Sequence, residues 1–546
     1  MSEGKRGVWR QTGLFLLLAA VMGALQWNWF AMPLERDEGE YAYSAWLMRT
    51  GKGVPYKDSF LQKPPMIIYT YALMEALAPG NNKVGFRVAG FWAALATAGL
   101  VWRLGTREFG GRAGLWAAWL WVVFLHQFMM FRTVAANVEK FMVVPMLGAM
   151  AVAGRGERRG WRWGLAGALG AVAVLYKPIC APVLGVWCAW AMFSGQRRGG
   201  GPPAPPGASA GSRTPQGRTS VWRRVGWLAL GGAVATAAGV AWFAWKGALG
   251  AMWECAVEFT GAYARMAGNP LSTGWFWFKV YGGWKVAVIL VLAAGGVVLR
   301  RRDGGLGWGA VFAAAWGVAL GDMVGGHYYI MALPMAAVLG GAFIERVSQK
   351  DGRGVWRGAI ATAGVFAVLM SGEECKALRH APARLVRGIY GSQPFVEAEE
   401  AGLAVAEKCP EEGTVHIIGS EPEVLWYARR KCATRFDIAY PMTLPTRFAA
   451  KYQDEAARAL EERRPDVVVF VRAAGGFGGR EVMAQPPFGW YLGRMASVVF
   501  GADYELALAH MPGEDGGWKR GGTWEGRTEE EADWGIWKAR GSAPDS

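Results

Sequence analysis

Charged residues are scarce in this 546-residue chain. They make up 19% of it, against about 25% in soluble globular proteins. Cysteine is scarcer still, with six residues, which excludes a disulfide-stapled secreted scaffold. The 78 glycines follow no three-residue period, which excludes a collagen-like fibre. No internal repeat is evident. No small-residue cleavage site follows the first apolar run, so that run reads as an uncleaved membrane helix and not as a signal peptide. What the chain does have is apolar: 53% hydrophobic residues and 30 Trp, gathered in long runs. The bulk reading is a polytopic membrane protein.

The net charge of +16 suggests nucleic acid until its position is considered. Most of the basic residues sit in short clusters between apolar runs, the pattern of cytoplasmic loops under the positive-inside rule. Lys5, Arg6 and Arg10 precede the run 13–33. Later clusters fall at Arg103–Arg107–Arg112, Arg155–Arg162, Arg223–Arg224, Arg300–Arg302 and Arg346–Arg357. Between them the expected spans are 13–33, 84–104, 113–131, 139–153, 163–176, 179–193, 225–245, 284–299, 306–321, 328–344 and 358–370. That is about eleven transmembrane helices, with the N-terminus inside and the C-terminal region outside. The run 66–78 is short of the roughly 20 residues a span needs, so an interfacial or re-entrant helix is expected there. Residues 199–220, rich in Gly, Pro and Ser, read as a flexible cytoplasmic loop. Residues 246–283 read as an outer loop whose Trp, Phe and Tyr suit the headgroup level.

From Glu373 onward charge becomes frequent and apolar runs shorten to strand length. An amphipathic helix is expected over 396–408 and a strand over 414–418, closed by Gly419. Ser420 and Glu423 suggest a capping box for a helix through Arg429. A further helix is expected over 451–464, stopped by Pro465, and a continuous apolar strand over 466–471. The expected division is a membrane domain over 1–372 with an outer loop at 34–65, an α/β domain over 390–510, and a flexible tail over 511–546. Cys180, Cys188 and Cys255 lie in or near spans. Cys375, Cys409 and Cys432 lie in the outer part, and their pairing is not readable. None has metal-site spacing with a His.

The acids of the first outer loop carry the most chemistry. Asp37 and Glu38 stand just past a membrane helix in the stretch ERDEGEYAY. A carboxylate in a partly dry site can be tuned into a general base. Glu35 and Glu40 read as ordinary solvated flanking acids. Glu139 lies at the outer start of a span, where an ionisable group is a functional candidate. Lys177, beside Pro178, either snorkels or pairs with a phosphate. His327, Tyr328 and Tyr329, after Asp322, begin a late span at the outer interface. The expected topology puts these groups on one side, where acids would serve as base and cations would meet the charge developing on a phosphate leaving group. That chemistry fits transfer from a lipid-linked phosphate donor.

These motifs resemble those of the GT-C membrane glycosyltransferases. The chain is similar above all to family 39 type members, in the group related to protein O-mannosyltransferases and the aminoarabinose transferases of lipid A. The resemblance rests on Asp37-Glu38 with Tyr41, on Gly53, Pro55, Tyr56 and Asp58, and on Lys63-Pro64-Pro65. It continues with the Glu139 segment, Lys177-Pro178, His327-Tyr328-Tyr329 followed by Pro334, and Thr434-Arg435-Phe436. It implies transfer of a sugar from an undecaprenyl- or decaprenyl-phosphate carrier, with inversion, on the outer face of the cytoplasmic membrane. The acceptor would be a lipid, a glycan or a protein. Asp37 matches the base or base-orienting acid, with Glu38 and Glu139 organising acceptor and electrostatics. Lys63, Arg87, Lys177 and His327 would meet the donor and its phosphate, with Tyr41, Tyr56, Asp58 and Tyr328 completing the binding set. Some relatives bind a divalent cation near the loop acids, but no tight ligand spacing here demands one, so metal dependence stays open. The competing readings are a transporter or flippase of envelope lipids and a non-catalytic envelope assembly protein. No paired half-repeats with broken helices near the midplane support the first.

Overall fold

The structure, a computed structural model, describes residues 3–80, 82–155, 157–194, 221–266, 283–320, 326–349, 354–471, 489–491, 493–495, 504–510, 518–520 and 534–539. The expected flexible loop at 199–220, part of the aromatic outer loop, Asp322 and most of the segment from 511 lie outside these residues. The chain forms two compact units. The first comprises residues 1–27, 88–242 and 267–379, and the second residues 28–87, 243–266 and 380–546.

The first unit is helical. Helix Leu333–Ser348 packs on Gly111–Leu125 and on Gly283–Leu299, and Val138–Val152 packs on Gly160–Tyr176. Small residues permit the closest approaches, as expected where lipid offers no hydrophobic drive between helices. A Cβ at Gly341 would strike the backbone of Ala113 and Ala117. On the outside of these helices Trp92, Leu230, Val291 and Ile360 are more than half exposed, which suits lipid and not water. Two described helices, Lys83–Phe109 and Val221–Trp245, are long and apolar enough to cross a membrane. Thr12–Leu25, Gly111–Leu125, Pro178–Ser194, Gly283–Leu299, Leu306–Leu320 and Gly354–Leu369 are apolar but shorter. The protein is a mostly α-helical, multi-pass membrane protein with a C-terminal sheet.

The second unit gathers the first outer loop, the short helices between 249 and 264, and the C-terminal domain. Its sheet has the order β2-β1-β3-β6-β4-β5, formed by β1 (Thr414–Ile418), β2 (Lys431–Cys432), β3 (Val467–Val471), β4 (Tyr504–His510), β5 (Trp518–Arg520) and β6 (Trp534–Ala539). β1 runs parallel to β2 and β3, whereas β6 is antiparallel to both β3 and β4. β1 is buried along most of its length around His416, and β3 carries the continuous apolar run of a strand buried on both faces. The expected flexible tail is corrected in part: β5 and β6 lie within it, and β6 sits in the interior of the sheet. Its reason is local, because Trp534 and Ile536 are fully buried while the ladder to Val467–Val471 satisfies the backbone. The expected capping box is also corrected. Helix Glu423–Ala428 starts after Pro422 with no side-chain cap, and the Ser420 N–H donates to the Glu421 carboxylate (2.6 Å). All six cysteines are free.

His416, in β1, is fully buried and paired in register with Val468. Neither ring nitrogen has a hydrogen-bond partner among the described residues. Burial pushes its pKa down to about 4. The imidazole is neutral in the fold and titrates near 6.5 once unfolded. Its contribution is intact above pH 6.5 and lost as pH falls through 4, on the order of 3 kcal/mol. Buried acids with raised pKa, such as Glu421 and Asp437, work in the opposite sense, and removing the imidazole isolates the share of His416. Thermal unfolding at pH 7 and 4.5 is expected to separate more for the wild type than for His416→Leu. Equal separations would refute it.

Candidate active site

The stretch ERDEGEYAY opens helix Arg36–Thr50. Glu35 is its extended N-cap in a reciprocal capping box with Glu38, in which the Glu35 N–H donates to Glu38 Oε2 (3.1 Å). Two acids in the first turn suit the positive end of the helix dipole. The helix is bedded deeply, with Tyr41, Ala42, Tyr43 and Ala45 all buried. Gly39 is required here: a Cβ would lie 2.6 Å from the Glu423 backbone nitrogen. Arg36 fixes the same contact, donating to the Ser420 carbonyl (2.5 Å) and the Gln393 side chain (3.0 Å).

The four acids of this stretch part company in the fold. Glu35, Glu38 and Glu40 are buried, while Asp37 stays partly exposed. Glu38 faces Arg87, whose Nη2 lies 2.6 Å from its carboxylate and also donates to the Pro33 carbonyl (2.8 Å). Glu38 and Arg87 are thus engaged with each other and with the loop backbone. That is the geometry of a positioning pair, whatever further contact Arg87 makes.

Glu40 is the site residue that sequence reasoning passed over as solvated. It is 1% exposed. The Tyr440 hydroxyl donates to its Oε1 (3.2 Å), and its Oε2 has no partner among the described residues. Burial raises its pKa to about 8 despite the pull of Lys63, and Asp37 and Asp437 add to the rise. Asp437 is fully buried. It accepts the Phe60 N–H (2.8 Å), and burial lifts its pKa to about 7. The signal available in sequence was spacing: Asp37 and Glu40 are three apart and share a helix face. Nothing local announced Asp437 or Tyr440.

The rest of the loop motif makes contacts within the second unit. Tyr56 is buried in the left-handed region (φ 72°), and its hydroxyl donates to the Lys63 carbonyl (2.8 Å). Asp58 accepts the Val54 N–H (2.7 Å), closing the turn. Tyr41 packs edge-on against Tyr71. Lys63 is 6% exposed and is the cation felt by Glu40.

The first unit holds the remaining predicted residues in one group. Glu139 opens helix Val138–Val152 and is fully buried. Its Oε1 accepts from Lys177 and lies 3.8 Å from His327 Nε2, while Oε2 has no hydrogen-bond partner among the described residues. Lys177 sits in extended backbone between helix Gly160–Tyr176 and the turn Pro178–Cys180. Its ammonium stands 3.6 Å from the centroid of the Tyr328 ring, a close cation–π contact. Glu139, Lys177, His327 and Tyr328 are therefore brought together as the sequence reading expected. Among the described residues no group of three or more His, Cys, Asp or Glu side chains could hold a metal ion.

The family model for dolichyl-phosphate-mannose-protein mannosyltransferase matches residues 62–199. No curated protein sequence matches the chain. Among solved structures, ArnT from Cupriavidus metallidurans bound to undecaprenyl phosphate is similar, with a TM-score of 0.54 and 14% identity over 84% of this chain and 93% of that one. Its apo state gives a TM-score of 0.52 and 17% identity over 85% and 93%. An Archaeoglobus fulgidus oligosaccharyltransferase gives a TM-score of 0.50 and 14% identity, over 93% of this chain and 73% of that one. At these identities the likeness speaks for architecture, and the chain has the GT-C fold of membrane glycosyltransferases.

Proposed function

We propose that this protein transfers a sugar from a polyprenyl-phosphate carrier to an acceptor hydroxyl at the outer face of the cytoplasmic membrane. The observation that carries the reading is the selective exposure of Asp37 among four neighbouring acids. A base must reach the proton it removes, and Asp37 is the acid of this stretch that substrate can touch. In the reaction Asp37 takes the acceptor's proton and the acceptor oxygen attacks the anomeric carbon. The bond from that carbon to phosphate oxygen breaks, and polyprenyl phosphate leaves with the electron pair. A single displacement of this kind inverts the anomeric centre. Lys177 and His327 are assigned to the donor phosphate and its leaving charge, with Glu139 holding them in place. Glu38 and Arg87 hold the loop that presents Asp37.

The same reading includes about eleven spans, an N-terminus inside and the C-terminal domain outside. It is supported by the alternation of basic clusters along the sequence and by the fold shared with ArnT bound to undecaprenyl phosphate. The test is transfer by the purified full chain in lipid vesicles, supplied with a panel of polyprenyl-phosphate sugars and mixed acceptors. Release of polyprenyl phosphate coupled to acceptor glycosylation is the expected result. Passage of labelled lipid across the bilayer with no transfer would instead establish the flippase reading. A C-terminal reporter active only outside the cytoplasm checks the topology, and a cytoplasmic signal would overturn it.

A further inference from the structure

The helix Arg36–Thr50 carries a second carboxyl whose surroundings differ from those of Asp37 in every respect that matters. Glu40 lies three residues on, on the same helix face, but it is sealed from solvent. The groups that face it come from several parts of the second unit. Lys63 is the cation that pulls on it; Asp37 and Asp437 are acids, and Glu423 is a further buried acid that feels it. The nearby guanidinium groups are engaged elsewhere. Arg36 is bound to Ser420, Gln393 and Glu421, and Arg87 to Glu38 and Pro33. Tyr440 donates to one oxygen of Glu40, and the other has no partner among the described residues.

A fully buried carboxylate with an unmet oxygen, surrounded by more acids than cations, is costly. Two carboxyl groups in such proximity settle the conflict by sharing their protons unequally. Asp37, partly exposed, is the member that water and substrate can reach. Glu40, in the dry position, is the member that keeps its proton.

We propose that Glu40 is a positioning residue of the transfer reaction, acting as the neutral partner of Asp37 and keeping the helix face they share at a single negative charge compatible with an anionic donor. The role rests on the transferase reading. With Glu40 neutral, Asp37 is the one of the two that carries charge, and Lys63 stands beside a neutral Glu40. Once Glu40 ionises, two carboxylates stand on one helix face, and the donor phosphodiester meets added repulsion. Burial sets the ionisation near pH 8. The neutral form therefore prevails below that pH and the repulsive form above it. The Glu40 proton is not consumed in the transfer, since the acceptor's proton goes to Asp37. Tyr440 gives the C-terminal domain a direct hold on this balance, because its hydroxyl favours the ionised form of Glu40.

The test uses the full chain in lipid nanodiscs and has two arms. In the kinetic arm, the wild-type donor KM is expected to rise about tenfold per pH unit above pH 8, as one ionisation requires, with kcat much less affected. In Glu40→Gln, which cannot ionise, the donor KM stays level across that range. In Tyr440→Phe the rise moves to higher pH, a displacement that a purely structural loss would not produce. In the infrared arm, the carbonyl band of a buried protonated carboxyl is followed as pH is raised from about 6 to 9.5. One component is expected to fade near pH 8 in the wild type and to be missing from Glu40→Gln. Transfer with the same alkaline rise in Glu40→Gln, and an unchanged infrared titration, overturns this inference alone. Absence of transfer by the wild type with every donor overturns the transferase reading and Glu40's role in it, while the infrared arm still decides where the proton resides.

Discussion

Asp37→Asn is expected to lower kcat for sugar transfer by about 10²- to 10⁴-fold, the range for loss of a general base. Asparagine keeps the shape and the hydrogen-bonding oxygen of aspartate but cannot accept a proton. The substitution therefore separates chemistry from packing. Asp37 is only partly buried, and the N-cap bonds of the helix run through Glu35 and Glu38. The fold should tolerate the change, with the thermal midpoint shifted little. The donor KM should move far less than kcat, because an interaction made only in the transition state has been removed. The measurement is transfer rate against donor concentration for both proteins in the same vesicles. A rate within about threefold of wild type would end the assignment of Asp37 as base. Glu40 would then be a poor substitute, since it is sealed by its own helix and by Tyr440.

Arg87→Met should produce the largest loss of stability, about 3–5 kcal/mol. The arginine is 4% exposed and faces a glutamate with no exposure at all. Removing its charge strands Glu38 in a dry site beside Glu35 and Asp37, and it frees the Pro33 carbonyl. The capping box depends on Glu38, so the entire start of the helix loosens. The control is the double substitution Arg87→Met with Glu38→Gln. It removes both charges and should recover a substantial part of the loss. Unfolding midpoints of the wild type, the two single variants and the double variant close the cycle. A double variant as unstable as the sum of the singles would show that the pair does not act as a unit. The expectation also separates Arg87 from the donor-binding residues: its variant should lose folded protein first, and the activity per folded molecule should fall less.

The sequence was most readable where structure is local. The DVVVFV run and the strand before Gly419 lie within a residue of β3 and β1 as found, because a buried strand needs little beyond its own apolar run. Lys177, Glu139 and His327 could be grouped in advance because each sits beside the end of an apolar segment, where charge is conspicuous. Glu40 was misread for the opposite reason. Its sequence neighbours form no apolar run, and the Tyr440 hydroxyl that binds it is 400 positions away. Asp437 has no local signal for the same reason, since the backbone it binds lies at Phe60. Arg87 could be seen as a charge near a helix start, but its partner was not readable, since Glu38 is 49 residues away with no periodicity linking them. The strand β6 was hidden among Gly and Glu, and only its pairing with β3 and β4 gives its tryptophans something to cover. The number of spans was inferred from charge alternation, whereas most of the described apolar helices are individually short.

The sheet order has a consequence for the way the protein is made. β6 is the last described strand to leave the ribosome, yet it lies between β3 and β4. Until it arrives, β1, β2 and β3 have no bridge to β4 and β5. Helix Arg36–Thr50 waits as well, because Arg36, Tyr43 and Glu40 bond to residues between 420 and 440. At a synthesis rate of about 5–20 residues per second, that interval is on the order of 20 to 80 seconds. Through it Glu40 is without its Tyr440 hydrogen bond, with the early spans already translated. A nascent chain is therefore committed to the membrane well before it has a working site. A chain cut short before residue 534 would hold those partners of the helix but lack the strand that joins β3 to β4.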